Sequence, residues 1–205
     1  KTPIVSLRGF AKILKNDGLT KEERDEYLDI IISESNHLSQ LSTNVLNLSK
    51  IEKMSILSDM ETFDLSERLP AICEPYQLIA KAKGLDFSFS IQGKCPVHTS
   101  KKSLEKILSN LLSNAVAYTK PGGKITVLLT AWQIKIENEC TPIPPDKLAH
   151  VFEPFYRPDF ARDRKEGGNG LGLYIVDTLS KALGLPYQFE ATKNPPGMCF
   201  TLYLP

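Results

Sequence analysis

Asn110-Leu-Leu-Ser-Asn-Ala115, within a helical stretch, and Gly167-Gly-Asn-Gly-Leu-Gly-Leu173, opening a later helix, decide how this chain is read. The first sets two carboxamides four residues apart, hence on one helix face, where their oxygens can meet a divalent cation and phosphate. The second is a glycine-rich turn entering a helix, whose bare N–H groups and positive end favour a polyphosphate. Each segment alone is weak, because glycine-rich turns are common structural loops and helical asparagines are common surface residues or caps. Phe152-Glu-Pro-Phe-Tyr-Arg157 lies between them, and the conjunction reads as a nucleotide site.

In this order the segments resemble the catalytic domain of bacterial sensor histidine kinases. Lys1-Thr-Pro-Ile4 resembles the end of that family's phosphoacceptor motif, His-Glu-Leu-Lys-Thr-Pro, so the resemblance covers nearly the whole chain. It implies an α-helical hairpin over residues 1–58, which dimerises into a four-helix bundle and serves histidine phosphotransfer. It also implies an α/β two-layer sandwich of the histidine-kinase ATPase type over residues 61–205, binding ATP with Mg²⁺. The implied activity is that of a protein-histidine kinase, moving the ATP γ-phosphoryl to a histidine and then to an aspartate of a response regulator. The phosphorylated histidine would fall three positions before Lys1, so the residues at hand would bind nucleotide without holding their own phosphoacceptor. Thr2 matches the family position that orients water for dephosphorylating the regulator; a helix-start role is the other reading.

Composition supports an ordered globular chain: 205 residues, 41% hydrophobic and 24% charged. A net charge of +1 supplies no broad basic field, so no nucleic-acid partner is expected. Cys73, Cys95, Cys140 and Cys199 show no paired metal-ligand spacing and read as free thiols of a reducing compartment. No stretch approaches the roughly twenty apolar residues that cross a bilayer. A chain that opens inside a motif is expected to continue upstream. The family resemblance implies a membrane-spanning sensor segment there, making these residues the cytoplasmic portion of a bacterial membrane protein.

Ile4, Leu7, Phe10, Ala11 and Leu14 have helical spacing, and Asn16-Asp17-Gly18 supplies a turn. Thr20 and Glu23 fit a capping box for a second helix, along which Tyr27, Ile31, Leu38, Leu41, Val45 and Leu48 form a heptad-like seam. A hairpin this thin cannot bury both faces, so a homodimer is expected, packing within the same chain being the alternative. From Thr62 onward helices and strands alternate: a helix to about Lys83, a strand from Leu85 to Ile91, the asparagine helix from Lys101 to Tyr118, and strands at Lys124–Leu129 and Trp132–Ile136. A helix from Gly172 to Leu183 and a hairpin of Tyr187–Ala191 with Met198–Leu204 complete the series. The stretch Val127-Leu-Leu-Thr-Ala-Trp-Gln-Ile134 lacks the Gly, Asn, Asp or Pro that tight hairpins use, so several residues are expected to be missing between Thr130 and Trp132.

Carried over by the resemblance, Asn110 and Asn114 contact Mg²⁺ and phosphates, with Asn114 the direct metal ligand. Glu105 matches an often acidic, catalytic position or is a solvated helix residue. Tyr118 packs beside the adenine or is plain core. Ala117 stands where a phosphate-binding lysine is usual, leaving Lys106 or Lys120 as substitutes. The adenine-reading box, usually Asp-x-Gly-x-Gly, is altered here: Asn138 replaces the aspartate, and Cys140 and Pro142 replace glycines. Asn138 keeps an acceptor but loses the charge; Glu137 or Glu139 serves instead if the register differs. Phe152, Phe155 and Tyr156 are expected to anchor a lid, with Arg157, Arg162 and Arg164 closing on phosphate. Gly168, Gly170, Leu171 and Gly172 complete the nucleotide contacts, Leu171 and Leu173 packing behind. His37, His98 and His150 match no phosphoacceptor motif. The altered box keeps a rival open, a degenerate nucleotide-binding scaffold that signals through dimer geometry or dephosphorylation. A different ATPase of the same broad fold is opposed by the Lys-Thr-Pro start and the hairpin. The wording of residues 155–162 and 167–174 also resembles Gram-positive vancomycin-resistance sensors.

Overall fold

The structure, a computed structural model, describes residues 3–15, 18–53, 59–157 and 170–205, without the side chains of residues 3, 37 and 39–53. The chain divides into two compact units, Lys1–Lys53 and Met54–Pro205.

The first unit is a helical hairpin of α1 (Pro3–Ile13) and α2 (Lys21–Lys53). The capping box forms reciprocally: the Thr20 N–H donates to Glu23 Oε2 at 2.9 Å and the Glu23 N–H to Thr20 Oγ1 at 3.2 Å. Tyr27 packs its ring 5.6 Å from Phe10 of α1. Tyr27, Ile31 and Leu38 of the expected seam are thus half-buried, whereas Leu28 and Ile32, one position further on, are 41% and 57% exposed. The outward apolar stripe is therefore offset from the seam expected from the heptad rhythm, because α1 already occupies that side. Ile4, Val5 and Ile13 continue exposed apolar surface on α1. Leu41, Val45 and Leu48 lie among the side chains outside the description.

The second unit layers α3 (Leu65–Ala82), α4 (Lys101–Tyr118) and α6 (Gly172–Ala182) on a five-stranded sheet ordered β2-β4-β5-β7-β6. Its strands are Asp86–Ile91, Lys124–Leu129, Gln133–Glu139, Pro196–Tyr203 and Tyr187–Lys193, for β2, β4, β5, β7 and β6 respectively. Only β2 and β4 run parallel, joined by a crossover through α4. A separate antiparallel pair, β1 (Met60–Asp64) with β3 (Pro96–Ser100), was not legible in the sequence, nor was the short α5 (Pro145–Leu148).

Leu104, Ile107, Leu108, Leu111, Leu112, Ala115 and Val116 bury one face of α4. Alternation along β4 and β5 turns Ile125, Val127, Leu129, Ile134 and Ile136 inward. Each such side chain contributes roughly 1.5–3 kcal/mol by leaving water. The same alternation carries Asn138 onto the helix-covered face at the end of β5. The four cysteines are free and buried, and burial pushes the Cys73 thiol up to about 12.

The β4–β5 hairpin turns between Thr130 and Gln133. The chain passes directly through Ala131 and Trp132, and neither needs positive φ. The Thr130 N–H donates to the Gln133 carbonyl at 2.9 Å, the Leu204 N–H to the Trp132 carbonyl at 2.9 Å, and the Trp132 ring stacks on Tyr203 at 6.4 Å. Neighbouring strands hold a turn whose own residues would not specify it.

Asp64 caps α3 and ties down the loop before β3: its Oδ1 accepts from the Ser66 hydroxyl at 2.6 Å, the Ser66 N–H at 2.9 Å and the Cys95 N–H at 3.0 Å. The Ser66 hydroxyl, then the Cys95 N–H, hold its carboxyl below the ordinary range. A lowered folded-state pKa stabilises the fold above the unfolded value, and that contribution is lost as pH falls through the folded value. Acid titration of unfolding should show stability declining below about pH 4 in the wild type, with a shallower decline in Asp64→Asn. Superimposable slopes would contradict this.

Candidate functional site

Asn110 and Asn114 are both half-buried on α4, beside its packed face. The Asn110 Nδ2 donates to the Lys106 carbonyl at 2.8 Å, which leaves Oδ1 as the outward end of that amide. The start of α6 approaches this face closely. A Cβ placed on Gly172 would lie 3.3 Å from Asn114 Nδ2, 3.4 Å from Asn114 Oδ1 and 3.6 Å from Asn110 Oδ1. The fold thus brings together the two sequence segments from which the reading began.

The first α6 hydrogen bond runs from the Ile175 N–H to the Leu171 carbonyl at 2.9 Å, leaving the first-turn N–H groups outside the helical ladder. Leu171, at the N-cap, offers no side-chain acceptor. An uncapped helix start facing two carboxamides suits an anion bridged by a cation that prefers oxygen, and amide oxygens suit Mg²⁺. Leu171 itself is buried, anchoring this start in the core, while Leu173 is half-buried.

Gly170 joins the glycine-rich turn to the aromatic segment. Its φ is +71°, and an added Cβ would lie 2.7 to 2.9 Å from backbone atoms of Phe155 and Tyr156. The Phe155 N–H donates to the Gly170 carbonyl at 2.9 Å, holding Phe155 at φ 65°, a strained conformation for a bulky residue. Phe152 anchors the segment, 5.3 Å from Tyr187 and 6.0 Å from Phe189. Tyr156 lies 5.7 Å from His150. Phe155, expected as a third anchor, is instead 51% exposed, because its backbone is turned by the Gly170 contact. Arg157 is half-buried. Thr2, Arg162, Arg164 and Gly168 lie outside the described residues.

The end of β5 packs against the loop that follows α4. Glu139 pairs with Lys120 at 2.9 Å, and the Lys120 N–H also donates to the Glu139 carbonyl at 2.9 Å. Lys120 therefore serves the β5 end. Asn138 meets the C-terminal end of α4, its Nδ2 donating to Thr119 Oγ1 at 3.3 Å. Gly197 of β7 lies flush against the Asn138 carbonyl, where a Cβ would collide. Tyr118, the last residue of α4, is half-buried nearby in sequence. Glu105 accepts from Arg68 of α3 at 2.8 Å, an ion pair between helices that sequence reasoning did not foresee. Thr119 and Gly197 were also missed; the Asn194-Pro-Pro-Gly197 turn signal concealed the close-packing role of its glycine.

Residues 99–205 match the family described as histidine kinase-, DNA gyrase B- and HSP90-like ATPase, and residues 1–53 match the His Kinase A (phospho-acceptor) domain. The chain belongs to the sensor histidine kinase family. It is 28% identical over 209 residues to sensor histidine kinase CusS of Escherichia coli, covering 100% of this chain and 43% of CusS. It is 31% identical over 219 residues to the autoinducer 2 sensor kinase/phosphatase LuxQ of Vibrio vulnificus, covering 100% of this chain and 25% of LuxQ. The chain thus spans less than half the length of these relatives. The histidine kinase ThkA, solved in complex with the response regulator TrrA, has the same fold, with a TM-score of 0.73 at 22% identity over 99% of this chain and 57% of that one. Among the described residues, no helix of this histidine kinase core is long and apolar enough to cross a membrane.

Proposed function

We propose that this chain is the dimerising and ATP-binding core of a sensor histidine kinase that autophosphorylates a histidine and passes the phosphoryl group to a response-regulator aspartate. The observation that carries the reading is Gly172 seated against the Asn110 and Asn114 amides. In this reading Asn114, with Asn110, holds Mg²⁺, whose charge neutralises that of the transferring phosphoryl group. The α6 start, with Gly168, Gly170, Leu171 and Gly172, supplies N–H groups to the phosphates. Arg157, Arg162 and Arg164 close on them, and Tyr118 and Asn138 take the adenine. Such transfer depends on positioning and charge neutralisation, which amides, arginines and backbone N–H groups provide. Glu105 keeps a catalytic reading only if it leaves Arg68.

In this reading Thr2 serves dephosphorylation of the regulator, a second activity that LuxQ's name records for that relative. The exposed apolar residues of α1 and α2 support a homodimer through the hairpin. The vancomycin-resistance subtype rests only on the wording of residues 155–162 and 167–174. Asn138, without the usual charge, supports the second reading, a degenerate scaffold that binds nucleotide weakly and signals through dimer geometry or dephosphorylation.

Two measurements test this. Calorimetry with a non-hydrolysable ATP analogue should show magnesium-dependent binding. A chain extended upstream through the motif histidine should take up label from γ-labelled ATP, and replacing that histidine should abolish uptake. Binding without transfer would favour the scaffold, and no binding at millimolar nucleotide would overturn the nucleotide site.

A further inference from the structure

We infer that Thr119 sets which purine this site accepts, by holding the Asn138 amide with its oxygen rather than its nitrogen turned toward the nucleobase. The inference rests on the proposal that Asn138 meets the base. An asparagine amide has a donor end and an acceptor end of nearly the same shape, and a half-turn exchanges them. Left to itself it would accept from an amino group or donate to a carbonyl, and so would discriminate poorly between 6-amino and 6-oxo purines.

The structure removes that ambiguity through one hydroxyl. Thr119 follows the last turn of α4, 6% exposed, with Oγ1 2.6 Å from the Ala115 carbonyl oxygen. Two oxygens at that distance share a proton, and the carbonyl has none to give. The threonine proton is therefore committed to Ala115, and toward Asn138 the hydroxyl can only accept. The end of the Asn138 amide lying 3.3 Å away must then be the donor, Nδ2. Oδ1 turns the other way, and none of the described residues donates to it. Gly197 packs flush on the Asn138 backbone carbonyl, where a Cβ would collide.

The consequence is a one-sided reader. A 6-amino group donates to Oδ1, whereas a 6-oxo group sets oxygen against oxygen. A carboxylate at residue 138 would face the threonine's lone pairs with no proton between them, so the asparagine and this hydroxyl orientation suit each other. Thr119 touches no part of the base in this scheme; it is a positioning residue.

The test is calorimetric titration of the full 205-residue chain, with Mg²⁺, using non-hydrolysable analogues of ATP and of inosine triphosphate. The wild type should favour the adenine compound by about tenfold or more. Thr119→Val keeps the shape but removes the hydroxyl, freeing the amide to turn, and should bring the two affinities within about threefold. Thr119→Ser should retain the preference. Thr119→Ala removes the same hydroxyl without a replacing methyl, and reads the same ratio if the valine variant does not fold. A preference unchanged in the valine or alanine variant, or both affinities falling by one factor, overturns the inference. Equal wild-type binding of both compounds overturns it while leaving nucleotide binding intact. Binding of neither overturns the nucleotide site itself.

Discussion

Asn114→Ala is expected to weaken magnesium-dependent nucleotide binding on the order of a hundredfold, the effect of losing one strong interaction with charged groups. The substitution is local. Asn114 is half-buried at the edge of α4, while the helix is held by Leu104, Ile107, Leu108, Leu111 and Leu112 on its core face. Alanine is also the best helix former, so thermal unfolding should move little. The amide it removes is the one closest to Gly172, and the gap left cannot be filled from α6, which has no side chain there. Calorimetry with and without Mg²⁺ should show the mutant's residual affinity nearly independent of the metal. Wild-type affinity in the mutant, still metal-dependent, would mean the cation is held elsewhere.

Gly170→Ala should destabilise the second unit by about 2–5 kcal/mol. Left-handed backbone costs a residue with a Cβ roughly 1–2 kcal/mol, and overpacking against rigid neighbours adds roughly 1–3 kcal/mol. The neighbours here are backbone atoms of Phe155 and Tyr156, which cannot rotate away. Gly184→Ala is the control: its φ is +67°, but nothing lies within 4 Å of the added Cβ. It should show the backbone cost alone, about 1–2 kcal/mol. Urea unfolding of the two variants compares them directly, and equal losses would mean the Gly170 contact carries no energy. The contact also fixes where residues 152–157 meet the start of α6, so nucleotide affinity should fall with stability at residue 170 and stay unchanged at residue 184.

Period and punctuation made most elements readable. The α4 bounds, Lys101–Tyr118, and the β4 bounds, Lys124–Leu129, coincide with the expected ones because buried residues recur at helical and alternating spacing there. The capping box at Thr20 formed because its partners are three residues apart and need nothing else. The β1–β3 pair was hidden because neither strand has an apolar alternation of its own; each is specified by the other, through a register from Met60–Ser100 to Asp64–Pro96.

Local chemistry by itself determined the longer helices, the order of the nucleotide-binding segments and the replacement of an acid by Asn138, because period, turn residues and side-chain type are properties of short stretches. Tertiary structure alone decided which groups face one another. It set Gly172 on the asparagine amides, gave Lys120 to Glu139 and Glu105 to Arg68, and turned the Asn138 amide through Thr119. Those pairings join residues far apart in the chain. Only packing, which fixes distances to tenths of an ångström, selects among the several partners each polar group could take.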